Sequence, residues 1–314
     1  MSPVKGESMP IDPVDKIWMN GELVDWDEAR VHVLTHALHY GSGVFEGVRC
    51  YSTPRGPAVF RLRDHYRRME KSGRIFQMEI PYSVEELVQA TSDVIDANGL
   101  EECYIRPLAY RSFGGEMGVN PAANPVHVSI AVWAWGAYLG EEAASKGVRV
   151  TISSWRRGDP NIIPPQAKAT GAYINASMAK LEATQGGFDE AIMLNPTGRI
   201  SEATGQNLFI VKNGELLTPP LIDGPLPGIT RESIMHIARD SGTPIRERSL
   251  TRADLYTAEE VFLTGSATEV IPIREIDGRE FVPGPITQTL QQRYANICRG
   301  KDEKYVDWLD FIRT

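Results

Sequence analysis

Lys168 stands in Ile162-Ile-Pro-Pro-Gln-Ala-Lys-Ala-Thr-Gly-Ala-Tyr173, where small residues follow a pair of prolines. That setting suits an amine withdrawn from water, and desolvation disfavours the ammonium form, as a lysine that attacks a carbonyl carbon requires. A solvated loop lysine fits the same stretch, since lysine is seldom buried. Three further segments have the chemistry of anion binding. Leu226-Pro-Gly-Ile-Thr-Arg-Glu-Ser233 puts Thr230 at a helix start, where unpaired N–H groups and the helix dipole favour negative charge. Gly265-Ser-Ala-Thr268 can form a cup of hydroxyls and backbone amides, and Arg68 offers a planar guanidinium that matches phosphate. Taken singly, these read equally as an N-cap, a turn and a solvated arginine; together they point to a phosphorylated ligand. His32, His36 and His39 would share one face of a helix and could ligate a metal. No Asp or Cys cluster completes a shell and the Tyr40-Gly-Ser-Gly43 turn follows at once, so core or capping histidines are the simpler reading and no metal is expected.

The elements that must position these groups are short strands mixed with helices. Leu62, Tyr66, Met69, Ile75 and Phe76 recur at helical spacing, with Gly73 loosening the end. Ser83 and Glu86 make a capping box for a second helix that runs through Leu87, Val94 and Ile95 to Asn98-Gly99. Tyr104 to Tyr110 reads as a strand whose period of two turns Tyr104, Arg106, Leu108 and Tyr110 to one side, and Pro107 favours an edge position. Further on, Phe188 to Leu194, the Asn195-Pro-Thr-Gly198 turn, Arg199 to Glu202, and Asn207 to Val211 closed by Asn213-Gly214 read as strands and turns. Glu202 falls where a strand runs out. Thr230 to Ala238 reads as a helix, and Val261 to Thr264 as a strand. The expected fold is α+β in two domains, and the missing βαβ alternation argues against a dinucleotide fold. The expected boundaries are a tail over 1–13, a small domain over 14–137, a linker over 138–147, and a larger domain over 148–314 that carries Lys168.

The 314 residues are 42% hydrophobic and 24% charged, an ordinary globular composition long enough for two cores. A formal net charge of −8 argues against a nucleic-acid partner. The apolar run from Val126 to Leu139 is too short and too interrupted to span a bilayer, so no membrane segment is expected. The first thirteen residues lack an apolar core, and the three cysteines, Cys50, Cys103 and Cys298, are far apart, so a reducing, cytoplasmic location is expected.

Read together, the segments resemble the fold-type IV pyridoxal-phosphate enzymes, and among them the bacterial branched-chain amino acid aminotransferases. The resemblance runs from about Trp18 onward and rests on His36-Ala-Leu-His-Tyr-Gly-Ser-Gly-Val-Phe-Glu-Gly-Val-Arg49, Tyr104-Ile-Arg-Pro107, Met117-Gly-Val-Asn-Pro121 and Trp135-Gly-Ala-Tyr-Leu139. It continues through Ala167-Lys168, Ser201-Glu-Ala-Thr-Gly-Gln-Asn-Leu-Phe209, Leu226-Pro-Gly-Ile-Thr-Arg231 and Thr264-Gly-Ser-Ala-Thr-Glu269. Pro165-Gln166 and Glu116 depart from the family's pattern, near the lysine and in the turn before Met117.

The resemblance implies a small N-terminal α/β domain, a larger C-terminal domain with a pseudo-barrel of strands, and pyridoxal 5'-phosphate as cofactor. Lys168 is then the Schiff-base lysine and the proton carrier on the re face. Glu202 pairs with the pyridine nitrogen, Arg68, Ile229, Thr230 and Ser266 form the phosphate cup, Tyr173 binds the 3' oxygen, and Leu226 supports the ring. Tyr104 and the backbone amides of Ala267 and Thr268 take the α-carboxylate, and Arg106 takes the second carboxylate of glutamate. Tyr40, Phe45, Trp135 and Tyr138 wall an apolar pocket, with Val119 as a lid lent by a neighbouring subunit. The implied reaction is transfer of the amino group of leucine, isoleucine or valine to 2-oxoglutarate by a ping-pong cycle. The partners are amino acids and 2-oxo acids, and the assembly is a homodimer or a higher oligomer built from dimers. D-amino acid transaminases, (R)-amine transaminases and aminodeoxychorismate lyases share this lysine and glutamate and are the alternatives.

Overall fold

A computed structural model describes residues 11–115, 117–136 and 141–312. The chain divides into two compact units, one containing Pro10–Trp135, Ala167–Tyr173 and Ile297–Thr314, the other Gly136–Gln166 and Ile174–Asn296. A single cut at 138–147 would place Lys168 with the C-terminal half, whereas the short segment that bears it clusters with the N-terminal unit. Glu141–Lys146, inside the stretch expected to be a linker, is helical.

Among the described residues the first unit holds an eight-stranded sheet. Cys103–Arg111 lies inside it, paired on one side from Tyr104 to Arg111 with Val126–Trp133 and on the other with Gly43–Phe45 and Val48–Tyr51. This strand is central, not the edge strand that Pro107 suggests. The reason lies in its pairing: the carbonyl of Pro107 accepts from Glu46 N–H at 2.9 Å, so the proline nitrogen faces the break between the two partner strands, where its lost donor is not needed. Leu62–Ile75 and Val84–Ala97 are the two helices expected, the second opened by a complete Ser83–Glu86 capping box and stopped at Asn98-Gly99. Leu62, Tyr66, Met69, Leu87, Val94 and Ile95 form a helical stripe buried with Val48, Ile105, Val128 and Ile130 of the sheet. Burying each such side chain stabilises the fold by roughly 1.5–3 kcal/mol.

The described residues of the second unit build a nine-stranded sheet, mainly antiparallel, that curls into a half-barrel. Asn207–Lys212 and Glu260–Gly265 lie side by side, with Asn207 opposite Thr264. Asn213 and Gly214, both at positive φ, make the tight turn out of the first of them. Ile200–Ala203 pairs with Glu190–Leu194 and is irregular between Ile200 and Glu202, which re-aims the Glu202 side chain. Its core is a cluster including Val150, Ile192, Leu208, Ile210, Leu263 and Ile273.

Candidate active site

In the N-terminal unit, residues 167–173 form a strap pinned on both sides of Lys168. The Lys168 N–H donates to Ser72 Oγ at 3.1 Å, its carbonyl accepts from Phe45 N–H at 3.0 Å, and Ala169 bridges to Val44. Thr170 Oγ1 and Gly171 N–H both reach the Gly41 carbonyl, at 2.8 and 3.2 Å. Gly41 sits at φ 63°, and a Cβ there would stand 2.7 Å from Gly171 Cα, so this approach requires glycine. The Lys168 side chain is half-buried, less withdrawn from water than its small neighbours suggest. Its Nζ donates to the Tyr173 phenol at 2.6 Å and lies 4.9 Å from the centre of the Phe45 ring, which meets Tyr173 edge-on.

Arg106 extends from the central strand into an aromatic enclosure. Its guanidinium carbon is 5.1 Å from the Phe45 ring centre, 5.2 Å from that of Tyr104 and 6.0 Å from that of Trp133. Tyr104 meets Trp135 edge-on at 4.1 Å, and Trp135 stacks on Trp133. Arg106 Nε is buried without a hydrogen-bond partner among the described residues, the signature of a cation that a ligand anion would satisfy. Gly47 makes room for Tyr104, since a Cβ there would stand 2.0 Å from the phenol oxygen. Trp133 was not singled out from the sequence; its place two residues before Trp135, at the end of the strand Val126–Trp133, is the signal that finds it.

Arg68 is buried on the helix Leu62–Ile75. Its Nε and Nη2 donate to the two carboxylate oxygens of Glu46, at 2.8 and 2.7 Å, and His65 Nδ1 lies 2.7 Å from the same carboxylate. Burial pushes the Glu46 carboxyl up, but Arg68 and His65 outweigh it and hold the group well below the usual carboxylate range. Burial pushes the His65 imidazole down and, together with the nearby Arg68 and Lys168 charges, outweighs Glu46, which raises it.

The other unit holds Glu202 and further residues expected to bind an anion. Glu202 is buried; it accepts from Arg157 Nη2, from Asn207 Nδ2 at 3.2 Å and from Leu226 N–H at 3.2 Å. Asn207 Nδ2 also donates to the Leu226 carbonyl at 2.9 Å. Gly228 leaves space for Asn207, whose Oδ1 would be 1.9 Å from a Cβ there. That glycine is also the N-cap of Ile229–Asp240 and supplies no side-chain cap, so an anion at the first turn, beside Ile229 and Thr230, meets backbone amides and the helix dipole. Gly265, which opens the turn with Ser266, Ala267 and Thr268, lies against Gly205-Gln206. Thr268 Oγ1 and Thr264 Oγ1 are buried hydroxyls without a hydrogen-bond partner among the described residues. Arg157 and Asn207 were missed in the sequence; Asn207 lies in a stretch that carries the resemblance, whereas Arg157, 45 residues from Glu202, leaves no local signal.

The remaining residues stand apart. Val119 is 79% exposed and Tyr40 is exposed, its hydroxyl donating to the Met117 carbonyl at 2.9 Å; Tyr138 and Glu116 lie outside the described residues. His32 precedes the short helix His36–Tyr40 and stacks on Phe113, while His36 contacts Ser42 Oγ and the Gly118 carbonyl, so these histidines serve local structure. Among the described residues no group of His, Cys, Asp and Glu could hold a metal, and no helix is long and apolar enough to cross a membrane.

The donor set fits pyridoxal phosphate: an amine beside a phenol, a carboxylate held by cationic and amide donors, and anion-binding amides and hydroxyls. Comparison with known proteins agrees. The family model for amino-transferase class IV matches residues 43–276. The branched-chain-amino-acid aminotransferase of Pseudomonas aeruginosa is 47% identical over 301 residues, which cover 95% of this chain and 97% of that protein. The crystal structure of the Escherichia coli branched-chain amino acid aminotransferase superimposes with a TM-score of 0.93 at 45% identity, covering 96% of this chain and all of that one. The branched-chain amino acid aminotransferase from Thermobaculum terrenum, solved in its PLP form, gives a TM-score of 0.90 at 34% identity, covering 96% of this chain and 99% of that one. With the family model spanning most of the chain and relatives this similar over nearly their whole length, the chain belongs to the class IV aminotransferases, among the branched-chain-amino-acid aminotransferases.

Proposed function

We propose that this chain transfers the amino group of leucine, isoleucine or valine to 2-oxoglutarate, using pyridoxal phosphate. The observation that carries the proposal is the Lys168 amine, fixed by its backbone and hydrogen-bonded to Tyr173, in the same unit as the Arg106 enclosure. When bound, pyridoxal phosphate supplies a ring that withdraws electrons from the substrate's α-carbon. Lys168 anchors the cofactor's carbonyl end and moves the proton at the α-carbon, and Tyr173 orients the amine while binding the 3' oxygen. Glu202, kept in place by Arg157 and Asn207, holds the proton on the ring nitrogen, with Leu226 against the ring. Arg68 and Ser266, with the amides of Ile229 and Thr230, take the phosphate.

Tyr104 and the amides of Ala267 and Thr268 bind the α-carboxylate. Phe45, Tyr40, Trp135 and Tyr138 favour an aliphatic side chain, and Arg106, lying on aromatic faces, accepts the glutamate carboxylate without making the pocket hydrophilic. Val119, so exposed in one chain, serves the neighbouring subunit of a homodimer, alone or within a larger oligomer. Three buried cysteines, far apart in the chain, fit a cytoplasmic setting.

Half-reactions of purified protein with L-leucine, D-alanine and (R)-phenylethylamine, followed by the visible absorbance of the bound cofactor, test this. Fast conversion by L-leucine is expected; reaction with only the D-amino acid or the amine would reject the substrate assignment. Lys168→Ala should abolish the visible band, and an unchanged band would show that another lysine holds the cofactor.

A further inference from the structure

We infer that Glu46 is a positioning residue for the cofactor phosphate: it sets the plane and reach of the Arg68 guanidinium by a two-point ion pair, and is itself fixed by His65. The inference rests on the reading of Arg68 as a phosphate ligand. Glu46 is fully buried and stands at the break between two strands, where its N–H is tied to Pro107 O, so its backbone moves little. Nε and Nη2 of Arg68 meet one carboxylate oxygen each, a fork-to-fork geometry that fixes the guanidinium's orientation as well as its position. His65, one helical turn before Arg68, contacts the oxygen that receives Nη2 and removes the carboxylate's freedom to turn. The three side chains make a buried cluster that uses two elements, the strand break and the helix Leu62–Ile75. Such a cluster holds the arginine ready before the phosphate arrives, so binding spends nothing on ordering a long side chain.

A negative charge near a phosphate also repels it, so removing the charge would mix two opposed effects. Glu46→Asp separates them: it keeps the charge and shortens the reach by one methylene, which breaks the two-point pairing. The measurement is the ratio of dissociation constants for pyridoxal and pyridoxal phosphate, titrated on full-length protein freed of cofactor and read in the visible band. Glu46→Asp should weaken pyridoxal phosphate about ten-fold and change pyridoxal less than two-fold, a selective loss that general destabilisation does not produce. Equal weakening of both, or no change in either, overturns the inference. If Glu46→Asp does not fold, His65→Leu must lower the same ratio at least three-fold, and an unchanged ratio overturns the inference. Arg68→Gln keeps the two levels apart. If it retains the wild-type ratio, the reading of Arg68 as a phosphate ligand fails; if it lowers the ratio while Glu46→Asp does not, only the positioning role fails.

Discussion

His65 carries a pH dependence whose sign follows from its burial. Because the folded protein holds this imidazole below its ordinary 6.5, the unfolded chain takes up a proton that the folded chain refuses once the pH drops below about that value. Stability is therefore lost as pH falls through this range. Glu46, held far below its ordinary 4.5, acts in the same direction lower down, contributing stability above that pH and losing it on acidification. The melting temperature is expected to be lower at pH 5.5 than at 7.5, and His65→Asn, whose amide can still donate toward Glu46, should shrink that difference; an equal drop in both proteins would exclude His65 as a source. At the site itself, Glu202→Gln keeps the shape that Asn207 and Leu226 grip but removes the charge proposed to face the ring nitrogen. Loss of one preorganised electrostatic group typically costs about 10²–10³ in rate, so kcat for L-leucine should fall by that order with KM little changed, and single-turnover kinetics would show it.

At the scale of elements, what could be read from the sequence is what neighbours in the chain decide. The Ser83–Glu86 box, the stop at Asn98-Gly99 and the Asn213-Gly214 turn all depend on residues within four positions, and each is where the local pattern puts it. Ser83→Ala should lower the free energy of unfolding by about 1 kcal/mol, seen as a shifted denaturant midpoint with an unchanged slope. Pro107 shows where local reading stops, because its tolerance of a central position depends on a break between strands that lies about sixty residues earlier. Likewise the carboxylate that holds Arg68 is 22 residues away, and the hydroxyl under Lys168 is 96 away. Lys168, Glu202 and the turns proposed to bind an anion stand out in the sequence by their residue types and the resemblance; their supports do not, because tertiary pairing chooses them. Ser72→Ala would leave the Lys168 N–H in the strap without its partner, a loss of about 1–3 kcal/mol if water cannot replace it. A fall in cofactor affinity larger than any fall in melting temperature would mark the strap as the part affected.

For the whole molecule, the exposed apolar side chains of the N-terminal unit bear on assembly. Val33 is 71% exposed, Leu38 62% and Val119 79%, and contacts from His36 and Tyr40 tie the segment around Leu38 to residues 117–118. A patch of this kind is expected to be covered by a second copy. Sedimentation should find a dimer, and Leu38→Asp with Val33→Asp should shift it toward monomer and reduce turnover; a wild-type monomer with full activity would reject the shared lid. The last consequence concerns the order in which the protein can be made. Leu309–Phe311 forms a strand against Ala58–Phe60, and Asp310 receives the Leu62 N–H across 248 residues of chain. The N-terminal unit is therefore not the first to be finished during synthesis: it waits for the strap at 167–173 and then for this late strand, while its partly paired sheet stands open at the ribosome for most of translation.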